Sequence, residues 1–324
     1  MKAAYRTEYG LSNVLSVREL ETPRPTADEI LIRVHAATVN RSDCHVLWGK
    51  PSVMRLFTGL SKPKMHTTGC DFAGQIVAIG EQVTSFKIGE KVMGFGSGFG
   101  CGSHAEFLLM KESKAVKRMV SCPEQLNYEE AAACIEGAFY SQGGVRKLNL
   151  QPGQKALVIG ATGAIGSATV QLLKPFGVHI TAVCRGQHVD LVKSLGAEIT
   201  VDYEKEDWSK LNDQYDYIFD SVGIATFNKC KHLLTKKGRF LSAGGSISNV
   251  FTVLAAPLKR GKKGVFWASM NVKDGLMFIT DEIRKGRFKP VIDRKYPLEK
   301  IAEAFDYVSS KQKIGNVILS MESD

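Results

Sequence analysis

The run Lys155-Ala-Leu-Val-Ile-Gly-Ala-Thr-Gly-Ala-Ile-Gly166 sets Gly160, Gly163 and Gly166 behind a short apolar stretch. Ala156–Ile159 reads as a strand, and a helix is expected behind the turn, over Ser167–Phe176. Backbone N–H groups at such a helix start point outward, and the helix dipole favours a negative charge there. A pyrophosphate fits that position. Gly160 serves the tight turn, Gly163 lets a phosphate approach the backbone, and Gly166 lets helix and strand pack closely. Thr162, Ala164 and Ile165 complete the turn. With a strand before it and a strand-helix pair after it, the motif is expected to bind a dinucleotide.

The next strand tells which dinucleotide. It ends Thr181-Ala-Val-Cys-Arg-Gly-Gln-His188. An acid at its end would bind the 2′-hydroxyl of the ribose, but Cys184 stands there and Arg185 follows. A neutral residue removes repulsion, and a guanidinium pairs with a phosphate. The expected cofactor is therefore NADP(H), with His188 and Tyr203 as helpers.

These residues need a frame to hold them. Residues 126–270 alternate strand and helix: Ala156–Ile159, Ser167–Phe176, His179–Cys184, Val189–Leu195, then the strands Tyr217–Asp220 and Arg239–Ser242. That rhythm implies a doubly wound parallel sheet with helices on both faces. Residues 1–125 read as β, with strands at Ile30–Ala36, Gly74–Gly80 and from Lys91. The glycine-rich run Gly94–Gly102 is expected to be an irregular β-loop. Residues 271–324 carry helices at Asp274–Lys285 and Leu298–Ser309 and a closing strand at Asn316–Leu319. If extended, Asp43-Cys-His45 would place an acid and a base on one face.

The chain has 324 residues, enough for two domains, and its 44% hydrophobic and 23% charged residues are those of a globular protein. Lys and Arg number 43 against 33 Asp and Glu, a net charge of +10. That balance suits a nucleic acid, a membrane surface or a phosphate-bearing small molecule. The cationic residues are scattered, and only Lys259–Lys263 is dense. The seven cysteines form no CxxC pair and no dense disulfide framework. With no apolar leader after Met1, a reducing, cytoplasmic location is expected.

Further motifs recur along the chain: Met1-Lys-Ala, Ala37-Thr-Val-Asn-Arg-Ser-Asp43, Gly69-Cys-Asp-Phe-Ala-Gly74, Gly89-Glu-Lys-Val-Met-Gly94, Glu129-Glu-Ala-Ala-Ala133, Gln151-Pro-Gly-Gln, Ser194-Leu-Gly-Ala197, Phe219-Asp-Ser-Val-Gly223 and Lys313-Ile-Gly-Asn-Val-Ile. In this order they resemble the medium-chain dehydrogenase/reductase superfamily, and within it the zinc-free quinone oxidoreductase and enone reductase branch. The likeness covers nearly the whole chain. It implies an α/β protein: a GroES-like β domain over 1–125 and 271–324, a Rossmann domain over 126–270, and an active cleft where they meet. Relatives are commonly homodimers.

By that resemblance, Asn40 stands where zinc-dependent relatives carry their first cysteine ligand. Cys70-Asp71 stands for a His-Glu pair, and the third ligand falls near Cys134, Ile135 and Glu136. No bound metal is expected. The resemblance puts Asn40 at the nicotinamide end of the cleft and has Asp43 orient that loop. Glu136 relays a proton or stands as a salt-bridged surface residue. Ser221, Val222, Ala243 and Gly244 close the cofactor site, and Phe266 packs at its wall. Asn316 replaces a basic residue often found there. The expected activity is hydride transfer from NADPH to a quinone or an α,β-unsaturated carbonyl. The alternatives are a zinc-type alcohol dehydrogenase or aldehyde reductase, and a non-enzymatic NADPH-binding protein that could bind RNA. Expected partners are small molecules, with no membrane and no nucleic acid.

Overall fold

The structure, a computed structural model, describes residues 1–96, 102–244, 261–265, 267 and 271–321. The chain forms two compact units. The first comprises Met1–Glu136, Asn271–Thr280 and Val291–Asp324, and the second Gly137–Met270 and Asp281–Pro290. The first change of unit falls at Glu136/Gly137 and not at 125/126. Helix Tyr128–Ala133, capped by Asn127, packs on strands Glu29–Val39 and Asp71–Ile79 and so stays with the first unit. Asp281–Pro290 belongs to the second unit. The Gln171 amide there takes both backbone groups of Lys289: its Oε1 accepts the N–H and its Nε2 donates to the carbonyl, each at 3.0 Å.

The first unit is built on one sheet with the order Ile292–Pro297, Asn316–Ser320, Glu29–Val39, Asp71–Ile79, Lys91–Phe95, Met119–Ser121; Phe107–Lys111 also pairs with Glu29–Val39. Its pairs are antiparallel except the first, which is parallel. The β-branched residues Ile30, Ile32 and Val34 alternate along the long strand and enter the core. They meet Phe72, Ile76, Met110, Phe305, Val317 and Leu319 there. Lys2–Tyr5 and Ser16–Glu19 form a separate antiparallel pair.

The segment after the long strand is not extended. Arg41–Trp48 is a helix, because Asn40 and Asp43 close a capping box and the Asp43 carboxylate accepts the Asn40 N–H at 2.8 Å. Helical geometry turns His45 away from Asp43, and its Nδ1 lies 3.1 Å from the Lys50 carbonyl oxygen instead. The pairing of these two residues expected from an extended segment is thereby excluded.

The second unit carries a parallel sheet with the order Ile199–Asp202, His179–Cys184, Lys155–Ile159, Tyr215–Asp220, Leu234–Ser242, Lys263–Val265. The chain runs outward to one side from Lys155–Ile159, then returns to its other neighbour, Tyr215–Asp220. This is the doubly wound order, and its reversal point lies between those two strands. Leu157, Ile159, Val183, Ile218, Phe227 and Phe240 form part of the core.

Candidate active site

Strand and helix ends in the first unit bury a set of polar side chains together. Thr38 and Asn40 lie on the same face of the strand end, being two residues apart. Asp71 begins the neighbouring strand. Its Oδ1 accepts the Thr38 N–H at 2.8 Å, and its Oδ2 accepts from the Thr38 hydroxyl at 2.5 Å and from Asn40 Nδ2 at 3.1 Å. Asn40 Nδ2 also donates to Thr38 Oγ1. The Ser42 hydroxyl donates to Glu136 Oε1 at 2.5 Å. His104 sits behind Thr38, with Nε2 at 3.0 Å from the Thr38 carbonyl oxygen and Nδ1 at 2.9 Å from Thr68 Oγ1. Asn40, Asp43, Asp71 and Glu136 are all buried.

Crowded, buried carboxyl groups resist ionisation. Burial first, then the Glu136 charge, pushes Asp71 up to about 8. Burial raises Asp43 well above the usual carboxylate range, with Glu136 and Asp71 adding to it. Glu136 is raised to about 7 by burial, against the Ser42 hydrogen bond and the charge of Lys313. Burial lowers the Lys313 ammonium to about 8, and its Nζ donates to the Gly315 carbonyl at 2.6 Å. Asn40, Asp43 and Glu136, named from sequence for the chemistry, therefore lie in one network. Sequence reasoning assigned no role to Thr38, Ser42 or Lys313, and placed Asp71 only as part of a replaced His-Glu pair. Two of these sat in the same motif as Asn40, and the alternation of a strand end could have flagged Thr38. The cation of the last strand's approach is Lys313, while Asn316 Nδ2 donates to the Val291 carbonyl at 3.0 Å.

In the second unit, Gly160 has φ +75°, and a Cβ there would meet Val222 Cγ2 at 2.2 Å. A Cβ on Gly166 would sit 2.1 Å from the Gly160 carbonyl oxygen, so helix and turn touch backbone to backbone. A Cβ on Gly163 would meet nothing nearer than 3.7 Å. Gly163 precedes helix Ala164–Leu173, so the open space lies at a helix N-terminus. Thr162 lies in the turn, and Ala164 and Ile165 open the helix.

The other candidates follow the ends of neighbouring parallel strands. Ser221 and Val222 follow Tyr215–Asp220, and Ala243 and Gly244 follow Leu234–Ser242. Asp220 ties these ends together. Its Oδ1 accepts the N–H groups of Val222, Gly223 and Ile224, and its Oδ2 accepts the Ala225 N–H and the Ser242 hydroxyl. The buried Ser221 hydroxyl has no partner among the described residues. An open glycine at a helix start and an unpartnered hydroxyl beside the sheet's reversal point fit a dinucleotide.

Cys184 ends its strand, buried, and the Tyr203 N–H donates to its carbonyl at 3.2 Å. Arg185 Nε lies 3.0 Å from Glu204 Oε1, an ion pair that the sequence analysis missed. His188 immediately precedes helix Val189–Leu195. Phe266 and Cys101 lie outside the described residues, as do most of Gly94–Gly102 and part of Lys259–Lys263.

Comparison with known proteins agrees with this architecture. Residues 26–123 match the alcohol dehydrogenase GroES-like domain, and residues 195–319 match the zinc-binding dehydrogenase family. The chain is 30% identical over 329 residues to 2-methylene-furan-3-one reductase of Solanum lycopersicum, covering 98% of this chain and 79% of that protein. It is 27% identical to the chloroplastic NADPH-dependent alkenal/one oxidoreductase of Arabidopsis thaliana, covering 98% and 79%. The quinone oxidoreductase structure from Coxiella burnetii superposes with a TM-score of 0.85 at 21% identity, covering 99% of each chain, a likeness of fold. The chain belongs to the medium-chain dehydrogenase/reductase superfamily, in its quinone oxidoreductase branch, and is an oxidoreductase.

Zinc-binding members of such a family imply a metal, and the donors here test it. Asp43, Cys70 and Glu136 bring one ligand atom each to within 4.8 Å of one another. The set departs from the donors of a zinc-dependent dehydrogenase. There is no imidazole in the group, and the first ligand position holds Asn40, whose amide is already bonded to Thr38 and Asp71.

Proposed function

We propose that this enzyme uses NADPH to reduce a quinone or an α,β-unsaturated carbonyl without a metal. NADPH, when bound, supplies the hydride. The second unit does the binding. Backbone N–H groups behind Gly163 hold the pyrophosphate, Arg185 meets the 2′-phosphate, and Ser221, Val222, Ala243 and Gly244 line the nicotinamide half. Glu204 keeps the Arg185 guanidinium at the strand end until a phosphate competes for it.

In the first unit, the observation that carries the reading is the Asn40 amide, bonded into a carboxyl network where a zinc ligand would stand. Without a Lewis acid, an alcohol is a poor hydride donor. An electron-poor acceptor asks less: hydride reaches the β-carbon, and the resulting enolate needs hydrogen bonds and one proton. Glu136, raised to about 7, holds such a proton near neutral pH, and Ser42 Oγ lies on it at 2.5 Å. Asp43 fixes the turn that carries Ser42.

NADPH consumption across quinones, alkenals, enones and simple aldehydes tests the reading. Turnover with the first three and little with aldehydes is expected, and silence with all of them sinks it. Metal analysis of the same sample is expected to find no stoichiometric zinc. A stoichiometric ion lost in a Cys70→Ala variant would favour the zinc-type alcohol dehydrogenase instead.

A further inference from the structure

The segment after helix Arg41–Trp48 carries an apolar stripe that faces outward. Ser52–Met54 and Arg55–Thr58 form short consecutive helical turns. Val53, Leu56 and Phe57 recur at the spacing of one helix face, which in a globular protein normally meets the core, and Leu60 follows just past the turn at Gly59. Here they are exposed, Val53 by 58%, Leu56 by 62% and Leu60 by 71%, and Met65 is exposed nearby.

The exposure is fixed by what holds the opposite side. Thr58 is buried, its hydroxyl lies 2.7 Å from the Tyr9 hydroxyl, and Tyr9 also donates to the Gly59 carbonyl at 2.6 Å. The Lys64 N–H donates to the Thr58 carbonyl at 2.8 Å, and the Arg55 guanidinium stacks 4.6 Å from the Tyr9 ring. The inner face is fastened, so the stripe cannot turn inward without breaking these bonds.

Within the segment itself the charges are of one sign. Between Cys44 and Cys70 the sequence holds Lys50, Arg55, Lys62 and Lys64 and no acidic residue. Lys50, Lys62 and Lys64 are exposed. A second copy of the same patch would bring these lysines against one another, which disfavours a self-complementary contact. An anionic lipid surface answers both features, accepting apolar side chains below its headgroups and cations among them.

We infer that the Lys50–Met65 surface docks the protein on an anionic lipid bilayer. Val53, Leu56 and Leu60 enter the interface, and Lys62 and Lys64 meet lipid phosphates. The stripe is short, so neither signal holds alone and attachment is reversible. The sequence analysis expected no membrane partner; a surface attachment needs no spanning segment, and no helix among the described residues is long and apolar enough to span.

Flotation of the full chain with two kinds of vesicle tests this without any activity readout, so its failure leaves the reductase reading untouched. Binding to equal parts phosphatidylcholine and phosphatidylglycerol is expected to exceed binding to phosphatidylcholine alone by at least about tenfold at low salt, and to weaken as salt rises. A Leu56→Ser/Leu60→Ser variant and a Lys62→Gln/Lys64→Gln variant, each with an unchanged melting temperature, should both fall at least about tenfold. Equal binding to both vesicles, no binding to either, or variants that bind like the parent would overturn the inference. So would a dimer that the Leu56→Ser/Leu60→Ser variant converts to monomer in light scattering, since the stripe would then be a subunit contact.

Discussion

A carboxyl group that titrates near neutrality can pass its proton to an enolate, and Glu136 is raised to about 7 mainly by burial. Below that value it is protonated and can donate, and above it the carboxylate cannot. Turnover is therefore expected to fall as pH rises through about 7. Glu136→Gln should flatten this limb and lower kcat by about 10²-fold or more, leaving the KM for NADPH nearly unchanged. A pH–rate profile of both proteins decides it. At the other end of the chemistry, Arg185→Ala should raise the KM for NADPH by about 10–100-fold and leave NADH nearly unaffected, as loss of one charge-assisted contact predicts. Equal effects on both cofactors would remove Arg185 from the 2′-phosphate. Asn40 and Asp43 could be named from sequence because they sit in one motif, and Glu136 because it lies near the third ligand position of zinc-dependent relatives. The bonds that give them their character could not. Thr38 and Asp71 meet across 33 positions, and Ser42 and Glu136 across 94, separations that no local pattern reports.

Turns decide the second unit, and glycine substitutions separate their two tasks. Gly166→Ala places a Cβ 2.1 Å from the Gly160 carbonyl oxygen, a backbone atom that cannot swing away. A loss of about 1–3 kcal/mol is expected, read as a lower melting temperature. Gly163→Ala meets only ordinary contact at 3.7 Å. That variant should melt like the parent and bind NADPH more weakly in a fluorescence titration. Strand–helix alternation made this unit legible. His179–Cys184 and Val189–Leu195 fall where their apolar pattern and flanking glycines place them. Ile199–Asp202 is too short and half-exposed to announce itself, and it becomes a strand by pairing with His179–Cys184. In the first unit, Arg41–Trp48 was hidden because its signal is a capping pair, Asn40 and Asp43, and not an apolar period.

Stability of the whole chain should carry a buried histidine's signature. Burial lowers His104 to about 4 from an ordinary 6.5. Folded His104 stays neutral between those values while the unfolded chain takes up a proton, so this residue's contribution is complete above about 6.5 and is lost as pH falls to about 4. The full change is roughly 3 kcal/mol. Asp71, raised to about 8, acts in the opposite sense, its contribution being lost as pH rises through that value. Denaturant unfolding of the parent and His104→Gln isolates the histidine: the difference between them should shrink as pH falls from 6.5 toward 4. A constant difference would show that His104 does not titrate on unfolding. The net charge of +10 also divides at this scale. Arg185 faces the nucleotide in the proposed function, and lysines beside the outward stripe face lipid in the further inference.

The carboxylate of Asp220 accepts from four backbone N–H groups and one hydroxyl across two strand ends. Those amides, though in a loop, are hydrogen-bonded before any ligand arrives, and they should exchange with deuterated solvent more slowly than free loop amides. In the proposed function these strand ends line the nicotinamide half, and a wall already fixed loses little freedom on binding, so more of the contact energy remains as affinity. The order that a flexible loop would acquire on binding is here acquired once, on folding.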